Sequence, residues 1–219
     1  MFCEKCGKEI ADDAVVCIGC GRAVMPLKAV RQYDTGVKRT SIGLLLGLLI
    51  SGGIFSFMGI GLFIAGFVLS ENYSYSSSTG VILAVFGVVI FLTGLAAFIF
   101  GSVLFCIYLH RAWKMIQDGY ASTSPGEAVG FLFIPFFNLY WHFRAFWGWA
   151  KDYNSYTRRN AISDAPRISE RMFLAWAILG AAAGIPYLGL LVVLPLYVIA
   201  IIGTVKICKA VNFFADRKV

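Results

Sequence analysis

Four cysteines near the start of the chain carry its clearest chemistry: Cys3 and Cys6, then Cys17 and Cys20, each pair separated by two residues. A Cys-x2-Cys pair can bend round a metal ion as a knuckle. Four thiolates make the soft tetrahedral shell that Zn²⁺ takes, at about 2.3 Å to each sulfur. Gly7 and Gly21 directly follow the second cysteine of each pair. Glycine suits those positions because the chain turns sharply there and tolerates φ > 0. Residues Gly7 to Val16 leave room between the pairs for a tight hairpin and little more. So short a module cannot bury a sufficient core, so the metal must supply most of its folding energy. Four sulfurs fill the shell, which makes one structural ion with no open position for a reacting group. Redox Cys-x2-Cys pairs belong in a βαβ setting, and no such pattern surrounds either pair. Cys106 and Cys208 each stand alone near the end of an apolar stretch and read as small buried hydrophobes.

The elements that follow are those of a membrane. The chain is 59% hydrophobic and 14% charged, with a mean hydropathy of +0.76. A soluble domain carries about a quarter charged residues. No charge occurs from Ile42 to Ser70 or from Gly80 to Leu109. Each run exceeds the roughly 20 residues that cross a hydrocarbon core, so both are expected to span it. The first is too long for a signal-peptide h-region, and a metal module precedes it.

Charge sets the expected orientation. Lys28, Arg31, Lys38 and Arg39 precede the first span, and Arg111 and Lys114 follow the second. The intervening loop, Glu71 to Thr79, is serine-rich and has neither Lys nor Arg. Basic flanks stay in the cytoplasm, so the cysteine module lies inside and the serine-rich loop outside. Reduced thiolates require the same side. The net charge of +7 is then juxtamembrane charge that attracts anionic membrane lipid. Nucleic acid is an unlikely partner, because the basic residues flank the spans and do not cluster on the cysteine module.

Glycines recur every seven residues: Gly52, Gly59 and Gly66 in the first span, then Gly80, Gly87, Gly94 and Gly101 in the second. That period keeps each set on one helix face, where it lets backbones approach closely. The two stripes are expected to face each other in an antiparallel hairpin, although they would serve contacts within a homo-oligomer equally well.

The uncharged stretch Ala128 to Trp141 has Pro135 in its middle and is short for a span. Lys151, Arg158, Arg159, Arg167 and Arg171 follow it and favour the cytoplasm. Residues 127–150 are therefore expected to form a re-entrant or interfacial segment, broken near Pro135 and Asn138. Trp141, Trp147 and Trp149 suit an aromatic belt at the interface. The last apolar run, Met172 to Val205, is too long for one span. A break at Gly184-Ile185-Pro186 divides it into spans over about 170–185 and 187–208, with Pro186 as a second hinge. Ile134-Pro135-Phe136-Phe137-Asn138-Leu139 is faintly echoed by Ile185-Pro186-Tyr187-Leu188-Gly189-Leu190. Broken helices in repeated positions are a transporter signature.

The expected fold is thus an all-α membrane protein of about four spans (42–70, 80–109, 170–185, 187–208) with both termini cytoplasmic. A zinc-ribbon β-hairpin over residues 1–24 precedes it, joined by a basic linker over 25–41; the helical membrane domain covers 42–212.

Arg111-Ala112-Trp113, then Ser124-Pro125-Gly126-Glu127-Ala128-Val129-Gly130-Phe131-Leu132-Phe133-Ile134-Pro135-Phe136-Phe137-Asn138-Leu139, resembles the hallmark of bacterial membrane proteins built on a domain of unknown function. The resemblance covers roughly residues 80–212. Residues 1–24 resemble the short zinc ribbons at the N-terminus of bacterial membrane proteins. Together they imply an inner-membrane protein and carry over no catalytic residue. This chain continues into Tyr140-Trp141-His142-Phe143-Arg144, where proline and glutamine are expected in relatives.

Polar candidates for catalysis are few: His110, His142, Asp118, Glu127 and Asp152, all beside predicted cytoplasmic interfaces. No Ser/His/Asp set, phosphate loop or paired carboxylate accompanies them. The expected function is therefore not enzymatic. One reading is an adaptor or sensor whose ribbon docks a cytoplasmic or membrane protein. The other is a small transporter, channel or lipid-handling protein hinged at Pro135 and Pro186. The clear spans hold no acidic residue, which weakens proton coupling.

Overall fold

A computed structural model describes residues 6–9, 19–20, 36–72, 77–185 and 187–217. The chain divides into two compact units, one of residues 1–35 with 218–219 and the other of residues 36–217. In the first unit Gly7 adopts φ +68, the left-handed conformation that glycine takes most easily. Most of the expected β-hairpin lies outside the described residues; among those described there is no strand, and Glu9 forms an isolated bridge.

The second unit is helical. α1 (Ile42–Asn72) and α2 (Ser77–Lys114) have 31 and 38 residues, and α7 (Leu188–Asp216) has 29. At 1.5 Å per residue all three exceed a hydrocarbon core of about 30 Å. These three are the helices, among the described residues, that are long and apolar enough to cross a membrane. Their outward faces are bare: Phe57, Phe100, Leu191 and Leu194 are each exposed by two thirds or more.

The span expected over 170–185 differs. α6 (Glu170–Ala183) has 14 residues, roughly 21 Å of helix, too few to cross by length alone. Ser169 starts it by accepting the Met172 N–H, and the chain turns at Gly184 and Ile185. Pro186 itself lies outside the described residues. α7 carries Pro195 in its interior, a residue that removes one backbone donor from the ladder.

Residues 125–159 are a helical hairpin with an irregular tip. α3 (Pro125–Gly130) leads into a 3₁₀ turn at Phe131–Phe133. The chain then reverses, and helix runs without interruption through α4 (Phe137–His142), a π-helical segment (Phe143–Gly148) and α5 (Trp149–Arg159). The break falls at Ile134–Phe136. Asn138 does not mark it: its N–H reaches back to the Ile134 carbonyl at 3.0 Å within the first turn of α4.

Candidate functional site

Cys6 is exposed and Cys20 partly buried, each the second cysteine of its pair; Cys3 and Cys17 lie outside the described residues. The turn after Cys6 has the left-handed backbone that a metal knuckle uses, and nothing lies within 4 Å of a side chain built on Gly7. Four soft sulfurs as a set suit zinc.

The glycine stripes meet backbone to backbone. A Cβ on Gly52 would lie 2.6 Å from the Phe98 amide and 2.9 Å from the Gly94 carbonyl. On Gly59 it would come within 2.6 Å of the Gly87 carbonyl, and on Gly66 within 2.6 Å of the Gly80 carbonyl. The pairs run Gly52–Gly94, Gly59–Gly87 and Gly66–Gly80, an antiparallel order. Gly101 differs, because the Leu49 side chain covers it at 2.8 Å. The Leu49 backbone amide is next, at 3.2 Å, and neighbouring Leu45 is fully buried.

Where α1 and α2 begin and end at their other pole, an aromatic block forms. Trp113, Trp149, Phe173 and Tyr153 are buried in it, and Phe146 stacks on Trp176 with ring centres 4.4 Å apart. Three of the buried indoles have a backbone acceptor. Trp113 Nε1 donates to the Ala145 carbonyl at 3.1 Å, while Trp149 Nε1 donates to the Ala112 carbonyl at 3.0 Å. This reciprocal pair locks α2 to the π-helical turn. Trp141 Nε1 donates to the Ala128 carbonyl at 3.3 Å, closing the hairpin. Trp141 and Trp149 are therefore core residues and not members of an interfacial belt; burial and an indole acceptor hold them inside. Trp147 is half-buried beneath the Lys151 ammonium, 4.1 Å from the ring centre.

The polar candidates are committed to structure. Ser124 and Glu127 form a reciprocal capping box at α3: the Ser124 hydroxyl accepts the Glu127 N–H and the Glu127 carboxylate accepts the Ser124 N–H. Those contacts, the Ser124 N–H first, hold the Glu127 carboxyl below its ordinary pKa. Asp118 pairs with Arg159 at 2.7 Å, and Asp152 accepts the Ser122 N–H at 2.7 Å. His142 directs Nδ1 to the Asn138 carbonyl at 2.6 Å and lies over Gly180 of α6. His110 is exposed. These side chains are not brought together round one cavity.

Two features escaped the sequence. Asn212 of α7 clamps the entry to α1: its Oδ1 accepts the Thr40 N–H at 2.6 Å and its Nδ2 donates to the Thr40 carbonyl at 3.0 Å. Thus residues 36–41, expected as linker, belong to the helical unit. Only the isolated polarity of Asn212 in an apolar run hinted at this. The second is a matched pair of strained turns. Phe136 has φ 62, ψ −41 and Tyr187 has φ 65, ψ −41, each directly before a helix and after a proline. Phe137 N–H closes on the Pro135 carbonyl at 2.7 Å, a classic γ-turn, which is rare because it is strained. The next amides, of Asn138 and Gly189, reach the Ile134 and Ile185 carbonyls at 3.0 Å in both copies. The hexapeptide echo is thus a shared local conformation, and it presents Phe136 and Tyr187, 88% and 86% exposed.

A sequence model of the zinc-ribbon domain family matches residues 2–24. No curated protein and no solved structure matches the chain. The match covers the cysteine module alone, and a zinc ribbon there implies zinc binding.

Proposed function

We propose that this chain is an integral membrane adaptor. Its helical unit is the anchor, and its zinc ribbon, held in the cytoplasm by one Zn²⁺ on Cys3, Cys6, Cys17 and Cys20, docks a protein partner. The observation that carries this reading is the fate of the polar groups. In the helical unit Asp118, Glu127 and Asp152 serve caps and ties, and the interior is aromatic. The ribbon then holds the chemistry left over for recognition. The ion supplies folding energy to a segment too short to fold by burial. Positive residues at Lys38, Arg39, Arg111, Lys114, Lys206 and Lys209 support the cytoplasmic orientation of both termini in a bacterial inner membrane. Crosslinking in cells, with the full chain beside a version lacking residues 1–24, tests the proposal. A protein captured only by the full chain is the expected result; identical captures would make the ribbon a stability device.

A second reading, a transporter or lipid-handling protein, draws on the strained turns at Phe136 and Tyr187. Strain of this kind persists where the surroundings enforce it and is common in moving parts. Pro135→Ala would then change transport and leave ribbon-dependent capture intact.

A further inference from the structure

We propose that the helical unit holds an anionic phospholipid in a cleft between the segment before α6 and the basic end of α7. This rests on reading α1, α2 and α7 as membrane helices. The cleft, of about 330 Å³, has two kinds of wall. Ile201, Ile202 and Val205 supply its aliphatic lining, and Arg167, Lys206 and Lys209 supply its cations. Ile202, Val205, Lys206 and Lys209 follow the i, i+3, i+4, i+7 spacing that puts side chains on one helix face. That face passes from exposed aliphatic surface to two ammonium groups within two turns. Pro166 and Ile168 carry Arg167 across from the opposite side.

The charge is uncompensated. Neighbouring cations already hold anions: Arg39 pairs with Asp216, Arg159 with Asp118 and Arg217 with Asp164. Arg167, Lys206 and Lys209 make no ion pair among the described residues. Lys206 is partly exposed and lines the cleft, as a long side chain does when its aliphatic stem is covered and its charged head stays wet. Three cations around an aliphatic wall complement a phosphate ester attached to an acyl chain. Basic pockets at the cytoplasmic ends of membrane helices bind such headgroups. A free phosphate would use the cations and leave the aliphatic wall bare. The adjoining cleft of about 550 Å³ shares Arg167 but contains Glu170, whose carboxylate opposes an anion.

The test uses the full chain in nanodiscs, with phosphatidylglycerol titrated against a phosphatidylcholine background and bound lipid counted by native mass spectrometry. The intact protein should retain phosphatidylglycerol in preference to phosphatidylcholine. Lys206→Gln with Lys209→Gln should weaken that retention by about tenfold or more, in proportion to the two charges removed. Lys206→Arg with Lys209→Arg should restore it. Lys38→Gln with Lys114→Gln removes equal charge outside the cleft and should leave it unchanged. Equal losses from both glutamine pairs would reduce the effect to diffuse surface charge and overturn the site. So would full displacement by soluble glycerol phosphate, which would make the ligand a free phosphate. Resistance of the chain to alkaline extraction from membranes is scored in parallel. Extraction would sink the membrane reading and the site together, whereas a membrane-embedded chain without lipid preference would sink the site alone.

Discussion

The α1–α2 hairpin and the aromatic block are both apolar, yet opposite means hold them together. In the hairpin, Gly52, Gly59 and Gly66 bring two backbones into contact, and large side chains such as Phe57 and Phe100 point outward. In the block, Trp113, Trp149, Phe146 and Phe173 point inward, and the Trp113 and Trp149 indoles each donate to a carbonyl. The hairpin is built for a solvent as apolar as its own side chains, where close approach replaces hydrophobic drive. The block is built like the core of a soluble protein, by burial and by satisfied polar groups.

Substitutions that distort one region should spare the other, and the placement of tryptophan makes this measurable. All five tryptophans, Trp113, Trp141, Trp147, Trp149 and Trp176, lie outside α1 and the first two thirds of α2, so their fluorescence reports the block. The largest effect is expected from Trp149→Ala, which empties a fully buried site and orphans the Ala112 carbonyl. It should cost about 3–5 kcal/mol, seen as a lower unfolding midpoint by tryptophan fluorescence in detergent. Gly59→Val should follow, at about 1–3 kcal/mol, because its Cβ meets the backbone of α2. Helical circular dichroism should fall before the tryptophan signal changes. Gly101→Ala makes the milder comparison: its nearest contact is the movable end of Leu49, with backbone no closer than 3.2 Å, and the midpoint should shift less.

Ser124→Ala should cost about 1 kcal/mol through loss of the α3 cap. The partner of that cap gives a pH dependence. The Glu127 pKa is lower in the folded chain, so its contribution is complete above the unfolded carboxyl pKa of about 4.3 and is lost as pH falls further. Glu127→Gln should flatten the acid limb of a melting profile. The smallest effect is expected from Tyr153→Phe. The Tyr153 hydroxyl is buried with no hydrogen-bond partner among the described residues, and desolvation pushes its pKa up. Removing it should leave the midpoint unchanged or raise it slightly.

How much of this was legible in the sequence follows from the range of the interactions. A seven-residue period is a local signal, so the glycines of α1 and α2 can be assigned to faces by inspection. The breaks before Phe137 and Leu188 are announced by proline and glycine. By contrast, nothing local separates a tryptophan bound for an interface from one bound for a core. Trp141 and Trp149 were decided by distant carbonyls, at Ala128 and Ala112. The Thr40–Asn212 clamp joins residues far apart in the chain for the same reason. α6 falls short of a span because Ser169 caps it and Gly184 ends it, bounds close to the expected 170–185, which were already short for a crossing. Of the cysteine module the spacing was readable, since Cys-x2-Cys is local by nature.

The most direct measurement of the central claim compares the intact chain with Cys3→Ser/Cys6→Ser in the same membranes, reading zinc content, tryptophan fluorescence and crosslinked partners together. The expected result is loss of zinc and of a specific partner with fluorescence unchanged, which would separate docking ribbon from anchoring helices. Loss of zinc with every partner retained would contradict the adaptor account.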